Sequence, residues 1–129
     1  MWLRKLFYFF RFPIIVFILN VFLVFFGVYD FYPWIDIPMH LIGGIVIAYS
    51  FILIFNFWQE RNLIKINNKL IKVFLIVAVV ALFAVIWEFW EYAMDYFFNL
   101  PWYNNLWDTM LDLFLGIFGG FIFSLFSKV

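Results

Sequence analysis

Apolar residues gather into four long runs along the chain, from about Phe12 to Tyr29, Ile37 to Phe57, Leu70 to Phe98 and Leu106 to Phe126. A helix needs roughly 20 apolar residues to cross the hydrocarbon core of a bilayer, so each run predicts one spanning helix. The connections are short and no stretch suggests a second domain. The expected fold is therefore all-α: an integral membrane four-helix bundle forming one transmembrane domain over residues 1–129. Pro13 fits the first turn of the first helix, where its missing N–H costs nothing, after a basic amphipathic start from Met1 to Arg11. A cleaved signal peptide would need small residues after the run. The chain continues instead through Gly27, Val28, Tyr29, Asp30, Phe31, Tyr32, Pro33 and Trp34, a bulky aromatic stretch that favours a retained anchor. Trp and Tyr also cluster at the expected helix ends (Tyr29, Tyr32, Trp34, Trp58, Tyr92, Tyr96, Trp102, Tyr103, Trp107), as interfacial aromatic belts do.

Composition supports this reading and removes others. Of 129 residues, 69% are hydrophobic and only 12% charged, with a mean hydropathy of +1.08. Such a chain cannot cover a soluble surface with polar groups. Cysteine is absent, which removes disulfides, thiolate ligands and Cys nucleophiles. The few basic residues leave nucleic-acid binding without support.

Net charge is zero, but the two signs are segregated. Arg4, Lys5 and Arg11 lie at or before the start of the first run; Arg61, Lys65, Lys69 and Lys72 lie between the second and third; Lys128 follows the fourth. By the positive-inside rule, both termini and the middle loop are cytoplasmic, in the inner (cytoplasmic) membrane, and residues 30–36 and 99–105 face outward. The middle loop reads first as a topology determinant and second as an anionic-lipid contact. Asp30, Asp36, Glu88, Glu91, Asp95, Asp108 and Asp112 fall in the outer half with the single histidine, His40, and Glu60 alone is on the basic side. Glu88 is about ten residues before the outward loop, roughly 15 Å down its helix at 1.5 Å per residue. A carboxylate at such depth is costly, so it should face the bundle interior or a wet cavity and find a partner.

Spacing allows the acids to converge. Asp36 and His40 are i and i+4; Glu88, Glu91 and Asp95 are i, i+3 and i+7; Asp108 and Asp112 are i and i+4. Each set forms a stripe on its own helix. The stripes continue through Gly43 and Gly44 and through Gly116, Gly119 and Gly120, where small residues let helices approach closely. Asp30 and Glu60 read as interfacial or solvated charges, and Asn104 and Asn105 as loop and cap residues. Trp87, Trp90 and Trp107 could wall a pocket or belt the interface.

With no Lys or Arg at hand, a proton or a cation must compensate the carboxylates. Oxygen ligands with one His and no sulfur suit a divalent metal ion such as Mg, Mn, Ca, Fe(II) or Zn. The candidate ligands are Asp36, His40, Glu88, Glu91, Asp108 and Asp112, with Glu88, Glu91 and Asp112 as candidate catalytic carboxylates. Two other readings stay open. Protonated acids could simply lock the bundle by hydrogen bonds, or they could belong to a proton or solute path. Ser50, Ser124 and Ser127 lie away from His40, so serine catalysis lacks its parts.

The stretches Asp36-Ile-Pro-Met-His40 with Gly44, Trp87-Glu88-Phe-Trp-Glu91 and Trp107-Asp108-Thr109-Met-Leu-Asp112 with its glycine-rich continuation resemble the YjdF-like family of bacterial inner-membrane proteins. More distantly, the pattern is similar to VanZ-like proteins. The likeness covers roughly residues 30–120, and the Trp-Asp-Thr-x-x-Asp piece is its most specific part. The chain departs from the YjdF-like pattern in having fewer helices, Gly43 in place of a Gln, and a shorter stretch before Trp107. The resemblance implies a site at these residues, without an established reaction, and VanZ-like proteins are associated with glycopeptide resistance. Two functions are therefore expected as rivals: a metal-dependent hydrolase acting on a lipid or envelope precursor, and a noncatalytic envelope or resistance-type protein. A bundle of this size is also expected to form homo-oligomers.

Overall fold

The computed structural model describes residues 2–100 and 105–127, without the side chains of Trp2 and Leu3. Trp102, Tyr103, Asn104 and Lys128, given roles above, lie outside the described residues. Among the described residues five α-helices follow one another: α1 (Trp2–Phe25), the short α2 (Val28–Phe31), α3 (Asp36–Glu60), α4 (Lys69–Phe98) and α5 (Leu106–Phe126), with one 3-10 turn at Pro33–Ile35. All but α2 are long and apolar enough to cross a membrane.

α1 differs from expectation. It starts at Trp2, so Pro13 sits inside the helix and not in its first turn. Proline at this position removes one bond, to the Phe9 carbonyl, while the Leu- and Phe-rich residues before it carry the helix backward. Spanning helices tolerate such a gap. The helix ends where Gly27 takes the left-handed conformation (φ 64°) and its N–H bonds to the Val24 carbonyl. α4 starts at Lys69, one residue before its apolar run, and Lys72, counted above with the middle loop, lies buried inside the helix. Asn68 caps α4 by accepting from the N–H groups of Leu70 and Ile71, and Asn105 caps α5 by accepting from Trp107 and Asp108. Each cap satisfies amides that a helix start leaves without partners.

α3 and α5 run parallel and form the most extensive helix pair. Gly44 meets Gly116, and deeper down the Tyr49 ring packs edge-on to Phe123 at 6.2 Å between centroids. The glycines are required by the contact. A Cβ on Gly44 would lie 1.8 Å from the Gly116 carbonyl oxygen, and one on Gly119 would lie 2.4 Å from the Leu41 carbonyl oxygen. α4 packs on both of these helices; Val80 lies against Gly120, and with Ala48, Ile52, Ile54, Phe55 and Ile76 it forms the buried apolar core.

α1 packs mainly on α3. It reaches α4 through rings: Phe10 faces Phe83 at 6.5 Å between centroids, and Phe17 meets Trp87 at 5.7 Å and Trp90 at 5.4 Å. Large apolar side chains such as Phe25, Phe74, Phe89 and Phe114 point outward. Such a surface suits a hydrocarbon solvent and not water.

Candidate His–carboxylate site

The α3 stripe places Asp36 and His40 one turn apart, and the parallel α3–α5 pairing brings Asp112 alongside them. His40 Nε2 stands 3.4 Å from Asp36 Oδ1 and 3.7 Å from Asp112 Oδ1. Its other ring nitrogen, Nδ1, lies 3.9 Å from Glu88 Oε1 on α4. One imidazole therefore faces carboxylates on three helices. Exposure falls across the group, from 24% for the Asp36 side chain to 12% for His40, 11% for Glu88 and 4% for Asp112.

Glu91, buried one turn along α4, is held from the side: Trp87 Nε1–H donates to its Oε1 at 2.7 Å. Trp87 is thus a site residue, and its partner is the acid four positions on. The Thr109 side chain of α5 hydrogen-bonds to Glu88. Trp90 meets Phe17, whereas Trp107 is 78% exposed and faces outward.

Two groups have ligand atoms all within 4.8 Å of one another: Asp36, His40 and Asp112, and His40, Glu88 and Glu91. Metal–oxygen and metal–nitrogen bonds of about 2.0–2.2 Å put ligand atoms up to roughly 4.4 Å apart, so either group needs only small adjustments to share an ion. His40 belongs to both. Five of the six expected ligands come together in this way. Asp108 is only half-buried and lies outside both groups, one turn from Asp112 toward the start of α5. Asp95 likewise stands apart, and Asp30 is exposed.

Among the described residues, no Lys or Arg pairs with this cluster. The carboxylates are taken out of water without a permanent positive partner among these residues, a costly arrangement unless a proton or a bound cation compensates it.

Sequence reasoning passed over Asn20, the lone amide inside the first apolar run. It is buried, and Tyr29 O–H donates to its side-chain oxygen. This bond folds α2 back onto α1 and sets Tyr29 above the site. Burial, and then the charges of Asp36, Glu91 and Asp112, push the Tyr29 phenol well above its ordinary value. Tyr29 accordingly remains a donor. The available signal was simply an amide at the depth where an apolar residue is expected.

The fold and the site together define a multi-pass helical membrane protein with a buried cluster of one imidazole and carboxylates from three helices. The chain belongs to the family described as "Predicted membrane protein (DUF2238)", which it matches over residues 1–129. No curated protein and no solved structure matches it.

Proposed function

We propose that the His40 cluster is a divalent-metal site and that the protein is a membrane-embedded, metal-dependent hydrolase acting on a lipid or envelope precursor. One observation carries this reading: His40 and four acids from three helices have ligand atoms within 4.8 Å, in two groups sharing the imidazole, while no Lys or Arg among the described residues pairs with them. Asp36, His40 Nε2 and Asp112 are the ligands of the first group. Glu88 faces the opposite ring nitrogen, where a carboxylate fixes the orientation of a metal-bound imidazole and raises its basicity. Glu91, held by Trp87, is the carboxylate left to accept a proton from water. A divalent cation at such a site supplies positive charge and makes a bound water more acidic. The charge segregation supports an extracytoplasmic position for this site in the inner membrane, with both termini cytoplasmic. The YjdF-like and VanZ-like resemblances support the choice of residues and are silent on the reaction.

Elemental analysis by mass spectrometry of the detergent-purified protein tests the proposal. We expect stoichiometric metal in the wild type and its loss in both His40→Ala and Asp112→Asn. Full occupancy in both variants, or none in the wild type after readdition, would sink the ligand assignment.

A second reading has its own support. Because carboxylates flank both ring nitrogens of His40 within 4 Å, a doubly protonated imidazole could donate to both sides and lock three helices without any metal. On that account Asp112→Asn lowers the melting temperature in detergent and changes no metal content. A cellular phenotype lost at unchanged melting would contradict it.

A further inference from the structure

A cavity of about 400 Å³ lies beside the His40 cluster, between α1, α3 and α4. It exists because α1 and α4 touch through rings, Phe10 with Phe83 and Phe17 with Trp87, and because Gly43 on α3 puts no side chain into the space between. A Cβ built on Gly43 meets nothing within 4 Å. The lining runs from Met39 to Ile47 along α3, eight residues or about 12 Å at 1.5 Å per residue. The space is thus elongated along the bundle, and one of its ends is His40.

The walls are apolar. Three lining side chains carry polar groups: Asn20, whose oxygen accepts from Tyr29; Trp87, whose N–H is given to Glu91; and His40, which faces the carboxylates. Water needs two to four polar partners to stay in such a place, and these walls offer few. An empty cavity of this size is also unfavourable, because lining atoms lose their contacts and the cost rises with volume. Hydrocarbon is the remaining filling. The helices that form the cavity are long and apolar enough to cross a bilayer, whose interior is made of it. At about 30 Å³ for a group the size of a water molecule, there is room for roughly a dozen heavy atoms, which suits one unbranched chain.

We infer that this cavity binds a single acyl chain of a membrane lipid, with the polar end of that lipid presented to His40. Together with the metal-site reading, on which this step rests, the cavity makes the substrate a lipid whose cleaved or bound group sits at the head of its acyl chain. The chain pocket itself stands on the cavity alone.

Purified full-length protein, incubated in detergent with diazirine-bearing palmitic acid and irradiated, tests the inference by peptide mass spectrometry, with metal content read from the same samples. We expect cross-links at Met39, Val46 and Phe83. Gly43→Leu fills the open space without displacing backbone, and Ala84→Leu fills it from the opposite wall; each should reduce these cross-links at least tenfold while keeping wild-type metal. Asp112→Asn should do the reverse, losing metal and retaining the cross-links. Labelling confined to outward residues such as Phe89 and Phe114, or unchanged cavity labelling in both filled variants, would overturn the chain pocket even if metal is present. Cavity labelling in a protein that never binds metal would uphold the pocket and remove the metal site.

Discussion

The two ends of this bundle solve the same electrostatic problem in different ways. At the basic end, cations are matched by neutral groups of the chain itself. Lys5 and Arg61 lie 4.7 and 4.9 Å from the centre of the Phe57 ring, and Arg11 lies 4.5 Å from Tyr8 and 4.8 Å from Phe12. Arg11 also donates to the Tyr49 hydroxyl at 3.4 Å, and the buried Lys72 ammonium donates to Asn56 Oδ1 at 3.2 Å. At the acidic end the carboxylates are more buried and gather round a single imidazole. Ring faces attract cations and repel anions, so the aromatic residues that serve one end cannot serve the other. The basic end finds most of its partners within the chain, Arg11 Nε being buried without a hydrogen-bond partner, whereas no Lys or Arg among the described residues pairs with the His40 cluster.

The comparison can be broken most severely at the floor that both ends share. Gly44→Ala should separate α3 from α5 and cost about 1–3 kcal/mol or more, whereas Gly43→Ala, with open space around the new methyl, should change melting in detergent very little. Equal tolerance at the two glycines would refute the close α3–α5 contact. Next comes chelation. If metal completes the acidic end, stripping it should remove about 2.7 kcal/mol of stability when the ion was present at a hundredfold over its Kd, and Asp112→Asn should melt the same with or without chelator. A smaller effect is expected for Glu88→Gln, which loosens His40 and should weaken metal binding by roughly 10–100-fold, while Asp108→Asn should leave binding near wild type. Titration of metal against each variant decides this.

At the loop joining α1 to α3, Tyr29→Phe should cost about 1 kcal/mol through the lost bond to Asn20, visible as a shift in melting. The smallest effect belongs to the basic end. Arg61→Gln should cost about 0.5–1 kcal/mol and leave metal content unchanged; loss of metal there would erase the distinction between the ends.

Different physics made different parts of this molecule readable in advance. Four spans follow from hydropathy, because a bilayer demands length and apolarity of each helix by itself. The stripes of Asp36 with His40 and of Glu88 with Glu91 follow from helical periodicity, which is equally local. What depends on two helices at once was less visible. Asp108 carries the same spacing to Asp112 as Asp36 does to His40, yet only Asp112 reaches the imidazole, because the Gly44–Gly116 contact sets the height at which α5 meets α3. Trp87 fits the belt or the pocket by sequence alone, and the bond from its indole N–H to Glu91 puts it in the pocket. The first-turn preference of proline puts Pro13 at a helix start, and the helix-forming run from Trp2 overrides it. The cavity had no signature in the pattern, since it arises where α1 and α4 keep their backbones apart.

The parallel course of α3 and α5 has an electrical consequence. Both helices begin at the acidic end, with Asp36 in the first turn of one and Asp108 in the first turn of the other. The aligned peptide dipoles of a helix leave roughly half a positive charge at its start. Two such starts favour the carboxylates in their own first turns, Asp36 and Asp108, and counter the negative ends of α1 and α4 that finish at the same end of the bundle. An antiparallel pairing of these helices would put a negative pole there and make the same cluster harder to assemble. Chain direction, as much as side-chain identity, governs how many anionic groups this end of the bundle can hold.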